Sequence, residues 1–117
     1  MKVSIFTPTH DSKYLLDVYA TIKGQKFDEW VILYNSGAKP LGIKDHRVKE
    51  VCINLPLGSN VGVYKKLACD NCTGDILIEL DHDDFLTPDA ISEVRKAFSD
   101  PSVGFAYSNS LYTNMEM

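Results

Sequence analysis

Short apolar runs alternate along the chain with stretches in which apolar residues recur at helical spacing. Val3 to Phe6 is the first run, ended by Thr7-Pro8-Thr9. A helix is expected to start with Asp11 or Ser12 as its cap, to carry Leu15, Val18, Tyr19 and Ile22 on one face, and to stop at Gly24. Trp30 to Tyr34 is a continuous apolar run bounded by Asn35-Ser36-Gly37, the pattern of a strand buried on both faces. Glu50 to Leu55 gives a weaker strand stopped by Pro56. Val61 to Cys72 has helical spacing, with Tyr64, Leu67, Ala68 and Cys72 turned inward. Ile76 to Leu80 is the strongest strand. Thr87-Pro88-Asp89 then opens a helix with a capping hydroxyl, a proline at the first position and an early carboxylate. Ala90, Ile91, Val94, Ala97 and Phe98 line its inner side, and Val103 to Tyr107 predicts a last strand. Strands alternating with helices imply an α/β sandwich with a largely parallel sheet, a single domain over residues 1–117.

In such sheets ligands bind beyond the C-terminal ends of the strands. Three loops qualify: Thr7 to Asp11, Asn35 to Gly37, and Asp81-His82-Asp83-Asp84. On extended backbone, residues two apart project to one side, so Asp81 and Asp83 are expected to aim their carboxylates at one point. Paired carboxylate oxygens suit Mg²⁺ or Mn²⁺, which share their coordination with phosphates. Asp84 and Asp89 read instead as solvated or capping acids.

Composition narrows the partners. Twelve basic against sixteen acidic residues give a net charge of −4, without the basic face that nucleic acid requires. No run approaches the ~20 apolar residues of a membrane span, and the N-terminal run is too short for a signal peptide. Residence in the cytoplasm is the expectation, with the inner face of the membrane open to a longer protein. Cys52, Cys69 and Cys72 are odd in number, which fits a reducing compartment. Cys69-Asp70-Asn71-Cys72 has no second pair to complete a zinc site, and it falls at a helix end rather than a helix start, so structural thiols are expected.

Two segments carry a resemblance. Val3-Ser4-Ile5-Phe6-Thr7-Pro8-Thr9-His10-Asp11 resembles the opening strand and turn of family 2 glycosyltransferases, which have the GT-A fold. Thr73-Gly74-Asp75-Ile76-Leu77-Ile78-Glu79-Leu80-Asp81-His82-Asp83-Asp84 is similar to the segment that carries that family's D-x-D motif, and Thr87-Pro88-Asp89 fits the helix after it. The resemblance implies a three-layer GT-A sandwich that binds a nucleotide-diphospho-sugar, a UDP-sugar in the first instance, through Mn²⁺ or Mg²⁺. It implies that Asp83 is the metal ligand and that Asp81 faces the ribose or the metal's water shell. Thr7, Pro8 and Thr9 would edge the base, His10 would stack on it or remain a solvated loop residue, and Lys65 would approach the nucleotide or remain a surface lysine.

The chain departs from the family at two places. An aspartate usually follows the second strand; here Asn35 stands in that segment, able to hydrogen-bond a pyrimidine edge as donor and acceptor. The carboxylate base of inverting members lies well beyond the D-x-D, and after it this chain offers only Glu116 among acids past residue 100. The expectation is a truncated domain that lacks the acceptor half and the catalytic base, the acceptor being an unidentified sugar, lipid or protein. Two other readings stand beside it: a non-catalytic nucleotide-binding or interaction module, and a phosphohydrolase of the haloacid dehalogenase type with Asp81 as nucleophile. Apolar Phe105, Tyr107, Leu111 and Tyr112 near an uncovered strand edge also suggest self-association through residues 103–117.

Overall fold

A computed structural model describes residues 1–55 and 60–106. The elements follow one another as β1 (Val3–Thr9), α1 (Leu15–Ile22), β2 (Glu29–Tyr34), β3 (Val48–Cys52), α2 (Val61–Asp70), β4 (Ile76–Glu79) and α3 (Ala90–Phe98). The four strands form one all-parallel sheet in the order β3-β2-β1-β4. Every link between neighbouring strands is therefore a crossover, and each passes through a helix or a long loop.

Alternation along β1 sorts the core into two layers. Val3 and Ile5 face one side with Trp30, Ile32 and Tyr34 of β2, where Leu15, Val18 and Ile22 of α1 and Ile91 of α3 pack on them. Phe6 faces the other side with Leu33, under Ala68, Leu67 and Tyr64 of α2. Helices on both faces make this the expected three-layer α/β sandwich. Gly74 is required where the chain enters β4: a Cβ there would lie 2.4 Å from Ser4 Oγ and 2.8 Å from Ser4 N.

Several boundaries differ from the sequence pattern, each for a local reason. The first helix begins at Leu15 with Tyr14 as cap, because the Asp11 carboxylate instead accepts from Lys13 N at 3.0 Å and holds a separate turn. Asp89, not Thr87, caps α3, and the Thr87 hydroxyl donates to the Asp89 carboxylate rather than to the helix. A first-turn amide of α3, Ile91 N, is satisfied from outside by Gln25 Oε1 at 2.9 Å. The strand expected from Val103 is absent over residues 103–106, where Asp100 accepts from Val103 N through its carbonyl and from Ser102 through its carboxylate to form a turn. Tyr107 and the rest of the segment expected to self-associate lie outside the described residues.

Arg47 provides an extensive polar tie away from the C-terminal edge of the sheet. Its guanidinium donates to the carbonyls of Lys23 (2.8 Å) and Gln25 (2.9 Å) just after α1, stacks 4.0 Å above the Phe27 ring, and is gripped by both oxygens of Asp45. Asp45 also accepts from Tyr19 Oη at 2.8 Å. These bonds, that from Arg47 first, hold the Asp45 carboxyl well below its ordinary range. The amide of Val3, with help from Arg95, lowers Asp28 as well.

A depressed carboxylate stabilises the fold above its unfolded pKa of about 4 and loses that contribution as pH falls through its folded value. Urea midpoints are therefore expected to hold level above about pH 5 and to fall as the medium is acidified below the ordinary carboxylate range. Asp45→Asn should cost about 1–3 kcal/mol near neutral pH and flatten that acid slope. An unchanged slope in the variant would remove Asp45 from the account.

Candidate functional site

The parallel order brings all four strand ends to one edge of the sheet. There a cavity of about 650 Å³ opens, within the range of ligand sites. Pro8 and Thr9 of β1 line it with His10 just after, Asn35 and Ser36 follow β2, and the chain after β3 contributes Asn54 and Leu55. α2 supplies Val61, Tyr64 and Lys65, and Asp81, His82 and Asp83 follow β4. Seven of the eight residues expected at a nucleotide or metal site thus meet at one cavity. The eighth, Thr7, does not.

Thr7 is fully buried and its hydroxyl is committed within the sheet. It accepts from Trp30 Nε1 at 2.9 Å and donates to Leu80 O at 2.5 Å. It lies outside the cavity lining, and its hydroxyl ties the residue that precedes Asp81 to the sheet. Thr9, 1% exposed, acts in the same way one step further on. Its Oγ1 donates to Asp11 O at 2.7 Å, accepts from Asp11 N at 3.1 Å, and lies 2.8 Å from His82 Nδ1. Two buried threonines of the central strand therefore hold the acidic loop against β1.

That loop is not extended. Asp84 N donates to Asp81 O at 3.1 Å, so residues 81–84 form a tight turn, and Asp81 and Asp83 meet at the cavity through the turn rather than through strand alternation. Burial, and then the charges of Asp81 and Asp83, raise the Asp84 carboxyl above its ordinary range. The turn thus concentrates negative charge that a bound cation would relieve. Among the described residues no group of three or more Asp, Glu, His or Cys side chains could hold an ion by itself. Two carboxylates opening on a cavity do fit Mg²⁺ or Mn²⁺, ions that take one or two carboxylates and complete their shell with water and phosphates.

The remaining lining residues are partly committed. The His10 and His82 rings lie 5.0 Å apart, tilted by 51°. Asn35 is 5% exposed; its amide N donates to Thr9 O, and its Oδ1 accepts from Ser36 Oγ at 2.9 Å, which leaves Nδ2 as its donor. Ser36 takes a left-handed φ of 55° to make this turn. Lys65 forms an ion pair with Glu79, and that carboxylate, with Asp81 further off, raises its pKa. Ser36, Asn54, Leu55, Val61, Tyr64 and His82 were not singled out as site residues from the sequence. Asn54 and Leu55 were hidden because the third strand, expected to run to Leu55, ends at Cys52. His82 carried a signal in its place inside the D-x-D.

The cysteines take no part. Cys69 and Cys72 flank the end of α2, Cys72 Sγ donates to Ala68 O at 3.4 Å, and burial pushes the Cys72 thiol up to about 11 and raises that of Cys69. Thiols that stay protonated are structural, as expected.

No protein-family model matches the chain, and no curated protein matches it significantly. Among solved structures it is similar to the crystal structure of S. aureus TarS 1–349, with a TM-score of 0.66 and 18% sequence identity over 86% of this chain and 33% of that one. The chain thus spans about a third of that structure. At this identity the likeness is one of fold alone.

The Thr7 hydroxyl invites a direct test. Thr7→Val keeps the shape but leaves the buried indole N–H and the Leu80 carbonyl unpaired, which should cost about 1–3 kcal/mol for each group left bare. Thr7→Ser should recover most of the loss in urea unfolding. Wild-type stability for the valine variant would show that water or a shift of the loop replaces the bond.

Proposed function

We propose that the chain binds the nucleoside-diphosphate part of a nucleotide-sugar in this cavity and is the donor-binding part of a metal-dependent glycosyltransferase. The observation that carries this reading is the convergence of Asp81 and Asp83 with His10, Asn35 and Lys65 at the C-terminal edge of a parallel sheet. The glycosyltransferase-like fold supports it.

Asp81 and Asp83 are the hard oxygen ligands that would hold Mn²⁺ or Mg²⁺. A divalent ion bound there would neutralise and polarise the leaving diphosphate. The chain's own residues orient the donor around that point. Pro8, His10 and Asn35 bound the side where a base would lie, and Asn35 Nδ2 can donate to a pyrimidine carbonyl, which favours a UDP-sugar. Among the described lining residues Lys65 is the lysine that could meet a phosphate. Its pair with Glu79 is half-exposed on both partners, and such pairs are worth about 1 kcal/mol or less, so a phosphate can compete for the ammonium. Transfer with inversion at the sugar carbon would use a carboxylate base opposite the leaving group; none is assigned among the described residues. The acceptor, whether sugar, lipid or protein, is left open. The competing phosphohydrolase reading finds less support, since the D-x-D follows β4, an outer strand and the fourth in the chain, rather than the strand that opens the fold.

Titration calorimetry of UDP in the presence of Mn²⁺ is expected to show binding that chelator abolishes. Asp83→Asn should weaken it by about tenfold or more, as the loss of one charge-assisted contact of about 1.5–3 kcal/mol implies. Equal affinity in wild type and variant would end the metal assignment.

A further inference from the structure

The proton count at Thr9 has a consequence for the histidine inside the acidic turn. A hydroxyl carries one proton and two lone pairs. The Thr9 proton goes to Asp11 O at 2.7 Å. The oxygen can then only accept, and it has two partners: Asp11 N at 3.1 Å and His82 Nδ1 at 2.8 Å. In a neutral imidazole one nitrogen is donor and the other acceptor. With Thr9 able only to accept, Nδ1 carries a proton, and in the neutral ring Nε2 then keeps its lone pair. Among the described residues Nε2 has no hydrogen-bond partner, while His82 lines the cavity.

We propose that Thr9 is a positioning residue that locks neutral His82 in its Nδ1–H form, so that Nε2 accepts a hydrogen bond from a hydroxyl of the bound nucleotide. The inference rests on the donor-site reading above and names a contact within it. The chemistry is selective. A lone pair welcomes a hydroxyl and repels a phosphate oxygen, so His82 marks a point of the cavity where the ligand is neutral. Asp81 and Asp83 on either side serve the opposite task of attracting a cation. The tilted packing of His10 on His82, 5.0 Å between centroids, limits how far the ring can swing from this orientation.

Nitrogen-15 spectra of the histidine side chains at mildly alkaline pH read the tautomer directly, and the chain has only His10, His46 and His82 to assign. His82 is expected as the Nδ1–H form in wild type and in Thr9→Ser. Thr9→Val, which keeps the shape and removes the acceptor, should shift it toward the Nε2–H form or a mixture. With Mg²⁺ present, UDP should bind wild type about three- to tenfold more tightly than 2′-deoxy-UDP or 3′-deoxy-UDP, the span of one neutral hydrogen bond. His82→Phe and Thr9→Val should lose that preference, and Thr9→Ser should keep it. A wild-type His82 in the Nε2–H form, or a tautomer unmoved by Thr9→Val, overturns the proposal. So does a preference that survives in His82→Phe, or wild-type binding with no preference at all. If UDP fails to bind wild type while the tautomer obeys Thr9, the donor reading is what falls, and the lock stands without its assigned ligand.

Discussion

The buried hydroxyl of Thr7 joins the three strands on which everything at the cavity depends. Trp30 on β2 donates to it, and it donates to Leu80 at the end of β4. Neither the indole N–H nor the hydroxyl can be left bare in a core at such low exposure without a cost of about 1–3 kcal/mol, so each determines where the other sits. The consequence reaches past the sheet. Leu80 is the residue before Asp81, and its carbonyl is the last fixed point before the chain turns into the acidic loop. Packing thus sets β1 and β2, while a polar relay carries their position across to the carboxylates.

The relay matters because β4 has little else to hold it on one face. Among the described residues α2 packs mainly on β1 and β2 and reaches β4 through the Lys65–Glu79 ion pair, so Leu77 is 45% exposed. On the other face Ile76 and Leu80 are buried under α1 and α3. An outer strand buried on one face only is free to shift unless its backbone is tied. Its ladder to β1 runs from Val3–Ile76 to Phe6–Glu79, and the amide of Leu80 still donates to Phe6 O. Thr7 and Thr9 continue that ladder with side chains where the backbone pairing stops. Hydrogen bonds have a direction that apolar contacts lack, and that suits a loop whose function depends on where its oxygens point.

Much of this was legible in the sequence, for reasons that can be stated. Runs such as Trp30 to Tyr34 and Ile76 to Leu80 are apolar because both of their faces, or one face and an end, are buried, and periodicity reports burial. The convergence of seven expected residues on one cavity follows from the parallel order, which sends all C-terminal ends to the same edge. What stayed hidden depends on partners distant in sequence. Thr7 reads like its neighbours Pro8 and Thr9 until Trp30 is known to sit beside it. No sequence pattern marks Arg47, yet it closes α1 from a loop more than twenty residues on, and Gln25 serves α3 from just past the end of α1. The boundaries of α1 and α3 were misplaced because Asp11 and Thr87 have the composition of caps but spend their oxygens and hydroxyls locally. Composition states what a side chain can bond; only the fold states which bond it makes.

The same distinction bears on how an acidic edge would receive the acidic ligand proposed for it. Burial, and then the charges of Asp81 and Asp83, raise the carboxyl of Asp84, so acidic groups crowd the turn before any ligand arrives. Lys65 does little to relieve it, since Glu79 already takes its ammonium. The cavity therefore has more negative charge than its own cations balance, and a diphosphate approaching alone would meet net repulsion. A divalent cation changes the sign at one point without altering the rest of the wall. Under the proposed reading, affinity for an anion would be conditional on that cation, whereas neutral contacts from Asn35 and His82 would not depend on it. A site built this way separates two decisions. On the proposed donor-site reading, the carboxylates would govern whether a phosphorylated ligand binds at all, and the hydrogen-bonding groups held by the sheet would govern which ligand it is.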